Sequence, residues 1–177
     1  MKSTHPYFKE EQRFNQWWLK LVMYLSVLVA LGPMYYGTIV QLSTGVSWGN
    51  KPASNTSLLL IDLFVTLLMA GSMWLVFGSK LVTEIKGDGI HVRFKPFLRK
   101  EKFILPEQIQ RFEVMKYSPI TDYGGWGIKS GTKGKVLNVS GNIGLLLVFK
   151  DGKKLMIGTQ RPEAIKRAMN KMMKRYE

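Results

Sequence analysis

Residues 17–42, WWLKLVMYLSVLVALGPMYYGTIVQL, and residues 58–78, LLLIDLFVTLLMAGSMWLVFG, decide how this chain is organised. Each run is long enough to cross a hydrocarbon core of about 30 Å, which takes about 20 helical residues. The stretch between them, STGVSWGNKPASNTS, is short and polar. The pattern predicts an N-terminal segment and a two-helix transmembrane hairpin over residues 1–79, then a soluble domain over 80–177. A cleavable signal peptide is the competing reading of the first run. It would have an apolar region of only about 7–15 residues and a small-residue cleavage site. This run is longer, and no such site follows it.

The chain of 177 residues carries 26 Lys and Arg against 12 Asp and Glu, a formal charge of +14; of these, 21 basic and 9 acidic residues follow position 78. The basic excess therefore belongs mostly to the soluble part, whose size suits one domain with its own core. Cysteine is absent, which excludes disulfides, thiolate metal sites, lipoprotein anchoring and cysteine nucleophiles. Two histidines, His5 and His91, are too few for a His-based metal cluster, so no metal and no cofactor is expected.

The Lys/Arg bias of short flanking loops sets topology. The N-terminal flank has Lys2, Lys9, Arg13 and Lys20, the connecting loop only Lys51, and the C-terminal side begins with Lys80 and Lys86. Both termini are expected in the cytoplasm and loop 43–57 outside. Trp17 and Trp18 would sit at the inner interface and Trp48 near the outer one. Within the spans, Gly32-Pro33 reads as a packing kink, and Ala70, Gly71 and Ser72 as a site of close helix approach. Asp62 is an acid in an apolar run, which by default suggests function, here a proton relay. It lies a turn from the outer helix end, where a carboxylate can reach interfacial water. The segment HPYFKEEQRFNQWW reads either as an interfacial helix or as a cytoplasmic extension of the first span.

After Lys80 the period becomes that of strands. LVTEIK and IHVRFKPF flank a Gly87-Asp88 turn, which would set Glu84 opposite His91. Residues 102–105 and 111–117 read as further strands, with short candidates near Ile128 and over 136–139. Residues 145–149 and 154–157 flank Asp151-Gly152, a strong hairpin signal. The chain ends in a helix with Pro162 at its first position and Glu163 at the positive end of its dipole. Ile165, Ala168, Met169, Met172 and Tyr176 recur on one face, and the methionines read as core. About seven strands followed by one amphipathic helix predict an α+β fold: a bent antiparallel sandwich or open barrel with a C-terminal helix closing one end.

That layout resembles pleckstrin-homology-like domains. The segments FKEEQRFNQWW, TDYGGWGIK, NVSGN and LMIGTQRPEAI resemble those of an uncharacterised bacterial membrane-protein family. It pairs a two-helix transmembrane hairpin with a bacterial pleckstrin-homology-like domain. The likeness covers nearly the whole chain. It implies that fold and a multi-pass location in the inner (plasma) membrane, and it implies no activity.

Tyr123-Gly124-Gly125-Trp126-Gly127, with Lys129, Lys133 and Lys135 following, is the oddest local sequence. It suits a ligand or partner loop for an anionic head group or an extended peptide. It equally suits a glycine-rich bend with Trp126 packed as a core plug, the reading favoured here. Asn138 to Asn142 form a polar turn whose side chains serve backbone groups. Lys95, Arg99, Lys100 and Lys102 surround the second hairpin and are candidate lipid contacts, each worth about 1 kcal/mol near an anionic cytoplasmic surface; the same charges also suit a merely solvated face. No nucleic-acid motif accompanies the charge. No nucleophile with its base, paired carboxylates or phosphate loop is recognisable; Gly87-Asp88-Gly89 is a turn, and Glu84 with His91 reads as a cross-strand ion pair. The expected function is non-enzymatic: a membrane-anchored binding or scaffold module contacting anionic membrane lipid or a membrane partner. The alternatives are an accessory subunit docking a protein through the Tyr123–Trp126 loop or a sheet edge, and a transport element using Asp62.

Overall fold

A computed structural model describes residues 5–50, 52–131 and 133–176; Lys2, Lys51 and the side chain of Arg99 lie outside the described part. The chain divides into two compact units. One is helical and spans Asn15–Phe77. The other takes in the described residues up to Phe14 and those from Gly78 onward.

The helical unit holds α1 (Trp17–Thr44) and α2 (Asn55–Phe77). Both are long and apolar enough to cross a membrane, and their most apolar stretches are 0% and 6% buried. That exposure separates them from the core helices of a soluble protein, which hide their apolar side chains. A helix apolar all round needs apolar surroundings. α1 runs unbroken through Gly32-Pro33. The expected close approach at 70–72 does not occur: Ala70 and Gly71 are exposed, and a Cβ on Gly71 would meet nothing. The tight contact lies at Gly37, where a Cβ would strike the indole of Trp48. Trp48 thus folds back onto α1, and its backbone N–H donates to Gln41 Oε1 at 3.1 Å. The buried residues of the two helices are Gly37, Thr38 and Gln41 on α1 and Asp62 on α2.

The other unit is α+β with two open sheets. The first has the order β1-β2-β3-β4, all antiparallel, from β1 (Phe8–Arg13), β2 (Lys80–Lys86), β3 (Gly89–Lys95) and β4 (Leu98–Ile104). The N-terminal segment is therefore a strand rather than a helix. Phe8, Glu10 and Gln12 point inward, and two of the three inward positions are polar. This hides the apolar alternation that would announce a strand. Burying Glu10 and Gln12 demands partners. Glu10 accepts from Thr159 Oγ1 at 2.6 Å and from the Gln160 backbone N–H at 2.8 Å. Gln12 Nε2 donates to the Gly158 carbonyl at 2.7 Å.

The second sheet has the order β5-β8-β9-β7-β6, built from β5 (Ile109–Lys116), β6 (Gly127–Gly131), β7 (Gly134–Asn138), β8 (Ile143–Phe149) and β9 (Lys154–Gly158), with a short helix α3 (Pro119–Tyr123) after β5. The β8–β9 hairpin turns at Asp151-Gly152 as its sequence predicts. The β6–β7 hairpin attaches to β9 through a parallel β7–β9 pair, which departs from the expected all-antiparallel arrangement. Helix α4 (Pro162–Met173) buries Ile165, Ala168, Met169 and Met172, so the methionines are core. Burying each Ile or Met side chain is worth about 1.5–3 kcal/mol. Tyr176, assigned to the same face, is partly exposed, and its hydroxyl donates to the Gly87 carbonyl at 2.8 Å. The main core joins Leu81, Ile85, Ile90 and Phe94 of the first sheet to Leu145, Leu147 and Ile157 of the second.

Candidate functional site

Strand alternation decides which side chains of the first sheet face out. On its outer face acids and bases neutralise each other. Glu84 takes Lys9 at 2.8 Å and Lys86 at 2.9 Å, which hold its carboxyl down at about 2. Glu11 takes Arg13 at 2.7 Å and Lys80 at 3.1 Å. Glu84 and His91 are register partners, as expected, but they are not an ion pair. The His91 ring lies 3.1 Å from Asp88 and 3.3 Å from Glu101, and Glu101 also holds Arg93 at 2.9 Å.

With those acids committed to one face, uncompensated positive charge collects elsewhere. One place is a concavity of about 430 Å³ between the edge of β4 and the strands β7 and β9. Lys102, Lys133, Lys135, Lys153 and Lys154 line it, and no acid is among its described lining residues. Lys133 is held by Asp122 at 2.8 Å and Lys153 by Asp151 at 2.6 Å. Lys102, Lys135 and Lys154 have no ion-pair partner among the described residues. Lys102 pairs in register with the buried Val92 and so shares its core-facing side of the sheet. Burial, with repulsion from Lys135, pushes its ammonium below the usual lysine range. Gly134 has φ +107°, and a Cβ there would come within 2.7 Å of the Lys154 carbonyl oxygen. Only glycine lets the two chains close up at this wall. The structure thus brings Lys102, assigned to the lipid-contact set, together with Lys133 and Lys135, assigned to the loop set.

The other sequence candidates separate. Tyr123 is buried in a small cluster with Tyr117, Val136 and Met156, its ring edge-on to Tyr117 at 5.8 Å. Trp126 is half-buried and lies outside both clusters of described core residues, so the buried ring of this loop is Tyr123 rather than the expected Trp126. Its indole N–H donates to the Gly141 carbonyl at 3.3 Å, which props the 123–127 loop against the following turn. The buried Asn138 accepts from the Gly127 backbone N–H at 2.9 Å and donates to the Tyr117 hydroxyl at 2.9 Å, serving a distant segment rather than its own turn. Lys129 is exposed on β6, an edge strand.

Lys95 and Lys100 are exposed around the β3–β4 turn, with Phe97 between them 56% exposed. Lys95 is the register partner of Lys80, and Lys80 that of Arg13. The turn therefore stands at the end of the sheet where the chain leaves β1 and re-enters β2. Sequence reasoning passed over Phe97; its signal was an aromatic residue in a basic turn. Asp62 is 5% exposed, and its Oδ2 has no hydrogen-bond partner among the described residues, in contrast to the water-reaching position expected of it.

Among the described residues, no group of three or more His, Asp and Glu is placed to hold a metal ion. No protein-family model matches the chain, and no curated protein or solved structure matches it significantly.

Proposed function

We propose that the chain is a membrane-anchored, non-enzymatic binding module of the pleckstrin-homology-like type. In this reading α1 and α2 cross a bacterial inner membrane as a hairpin, and both termini and both sheets lie on the cytoplasmic side. Strand connectivity supports an even number of crossings. α1 follows Arg13 and α2 precedes Lys80, and these two residues are register partners, so the chain leaves and returns at one end of one strand pair. The observation that carries the lipid contact is the β3–β4 turn at that same end. Phe97 is an exposed ring flanked by Lys95 and Lys100, the composition of an interfacial anchor. Two lysines there contribute about 1 kcal/mol each on an anionic leaflet.

The absence of cysteine makes the test clean. A single Phe97→Cys substitution carries a polarity-sensitive fluorophore, and Glu107→Cys, just past the opposite end of β4, carries the control. In the full chain reconstituted into phosphatidylglycerol-rich vesicles, the label at 97 is expected to report an apolar setting and the label at 107 an aqueous one. Equal aqueous spectra at both sites would overturn the lipid contact. A second reading, docking of a partner protein, draws support from β6. It is an edge strand exposed along nearly its whole length, with unpaired backbone groups able to accept another strand.

A further inference from the structure

We propose that the lysine-lined mouth between the two sheets is a binding site for a compact phosphate-bearing anion, held by Lys102, Lys135 and Lys154. This goes beyond the lipid-facing turn, which lies at another part of the sheet and fails or succeeds independently.

The placement of Lys102 is the central observation. Its strand reads LRKEKFI, and positions 98, 102 and 104 fall on the core-facing side, where Leu98 and Ile104 supply apolar groups. A lysine between them contradicts the pattern that builds the sheet. It is half-buried beside a second cation, Lys135, and neither has an ion-pair partner among the described residues. Such a local violation belongs at a site that a ligand completes. An arriving anion removes the repulsion between Lys102 and Lys135 and satisfies ammonium donors that the protein leaves open. Among the described lining residues the free cations are all lysines, with no arginine. Lysine is a compact point charge and suits phosphate, whereas planar carboxylates are best matched by the guanidinium fork. The volume of about 430 Å³ suits a small molecule rather than a macromolecule. Gly152 in the wall, where a Cβ would meet nothing within 4 Å, leaves room for a phosphate to approach backbone, and the Ser130 hydroxyl is a further donor.

Phosphate can come from a soluble compound or from a lipid headgroup, and the experiment separates the two. The full chain is titrated with inorganic pyrophosphate in neutral detergent, and in parallel placed in nanodiscs with and without phosphatidic acid, with ligand-induced thermal stabilisation as the readout. Lys102→Gln and Lys135→Gln are each expected to weaken saturable binding by about 10- to 100-fold, the loss of one charge-assisted hydrogen bond. Lys129→Gln, exposed outside the cavity, is expected to leave it unchanged. Ligand-free Lys102→Gln is expected to melt no lower than the parent, because it relieves a half-buried charge. If that variant melts lower, the exposed Lys135→Gln carries the comparison. Response to pyrophosphate with this variant pattern assigns a soluble phosphate compound; response only to phosphatidic acid with the same pattern assigns a headgroup. Absence of saturable binding to both probes at millimolar concentration, or equal weakening by Lys129→Gln, would overturn the site.

Discussion

Tyr123 and Trp126 stand in one glycine-rich loop and do different jobs. Tyr123 is buried in a core cluster with Tyr117, Val136 and Met156, while Trp126 is half-buried and its indole N–H donates to the Gly141 carbonyl. Truncating the buried ring removes packing that nothing replaces, so Tyr123→Ala is expected to cost about 3–5 kcal/mol. Trp126→Ala removes a half-buried ring outside both clusters, and is expected to cost less, about 1–2 kcal/mol. Denaturant midpoints of the full chain in detergent measure both. A Trp126→Ala loss as large as that of Tyr123→Ala would mean that the indole is a structural plug after all. The sequence reading made Trp126 the plug of a glycine-rich bend and did not single out Tyr123 as core, because the T-shaped contact to Tyr117 is visible only in space.

At the scale of elements, the outer face of the first sheet is a pH-sensitive surface. Lys9 from β1 and Lys86 from β2 hold the Glu84 carboxyl at about 2, down from an ordinary 4.5. A depressed carboxyl contributes stability that is fully present above the unfolded value and is lost as pH falls through the folded one. The stability difference between the parent and Glu84→Gln is therefore expected to be flat above about pH 5 and to shrink between about pH 4.5 and 2. Urea midpoints across that range test it; a difference that does not vary with pH would show that the two ammoniums do not hold the carboxylate.

The same sheet shows what local pattern can carry. The β2–β3 and β8–β9 hairpins and the α4 stripe were legible because turn residues and apolar periodicity sit side by side in sequence. β1 was not, because Glu10 and Gln12 occupy inward positions and its partner strand lies beyond both apolar helices. The parallel β7–β9 pair escaped for a related reason: nothing local specifies a pairing made across an intervening hairpin. The lysine mouth draws on β4, β7 and β9, so its members could be noticed singly but not joined. Its one local signal was Lys102 at a core-facing position.

At the scale of the molecule, β1 decides what can fold alone. Residues 80–177 by themselves lack Phe8 from the core and leave Thr159 and Gln160 without Glu10. That fragment is expected not to melt cooperatively. A chain in which Asn-Gly replaces residues 14–79, joining Arg13 to Lys80, restores the register pair with a two-residue hairpin turn and is expected to fold as a soluble protein. Circular dichroism melts and amide dispersion by NMR compare the two. A cooperatively melting 80–177 fragment would show that β1 is an accessory.

Interrupting a sheet with the helical hairpin also imposes a schedule on synthesis. β1 leaves the ribosome first, and its pairing edge waits until residues 14–79 have been made and β2 follows. At about 5–20 residues per second that wait lasts several seconds. The sheet can close only after both apolar helices have emerged and found their surroundings. If the helices cross a membrane as proposed, a chain whose helices stall outside the bilayer holds β1 and β2 apart and exposes unpaired strand edges, a form open to proteolysis. Under the proposed membrane anchoring, completion of the domain would report that the two helices have reached the bilayer.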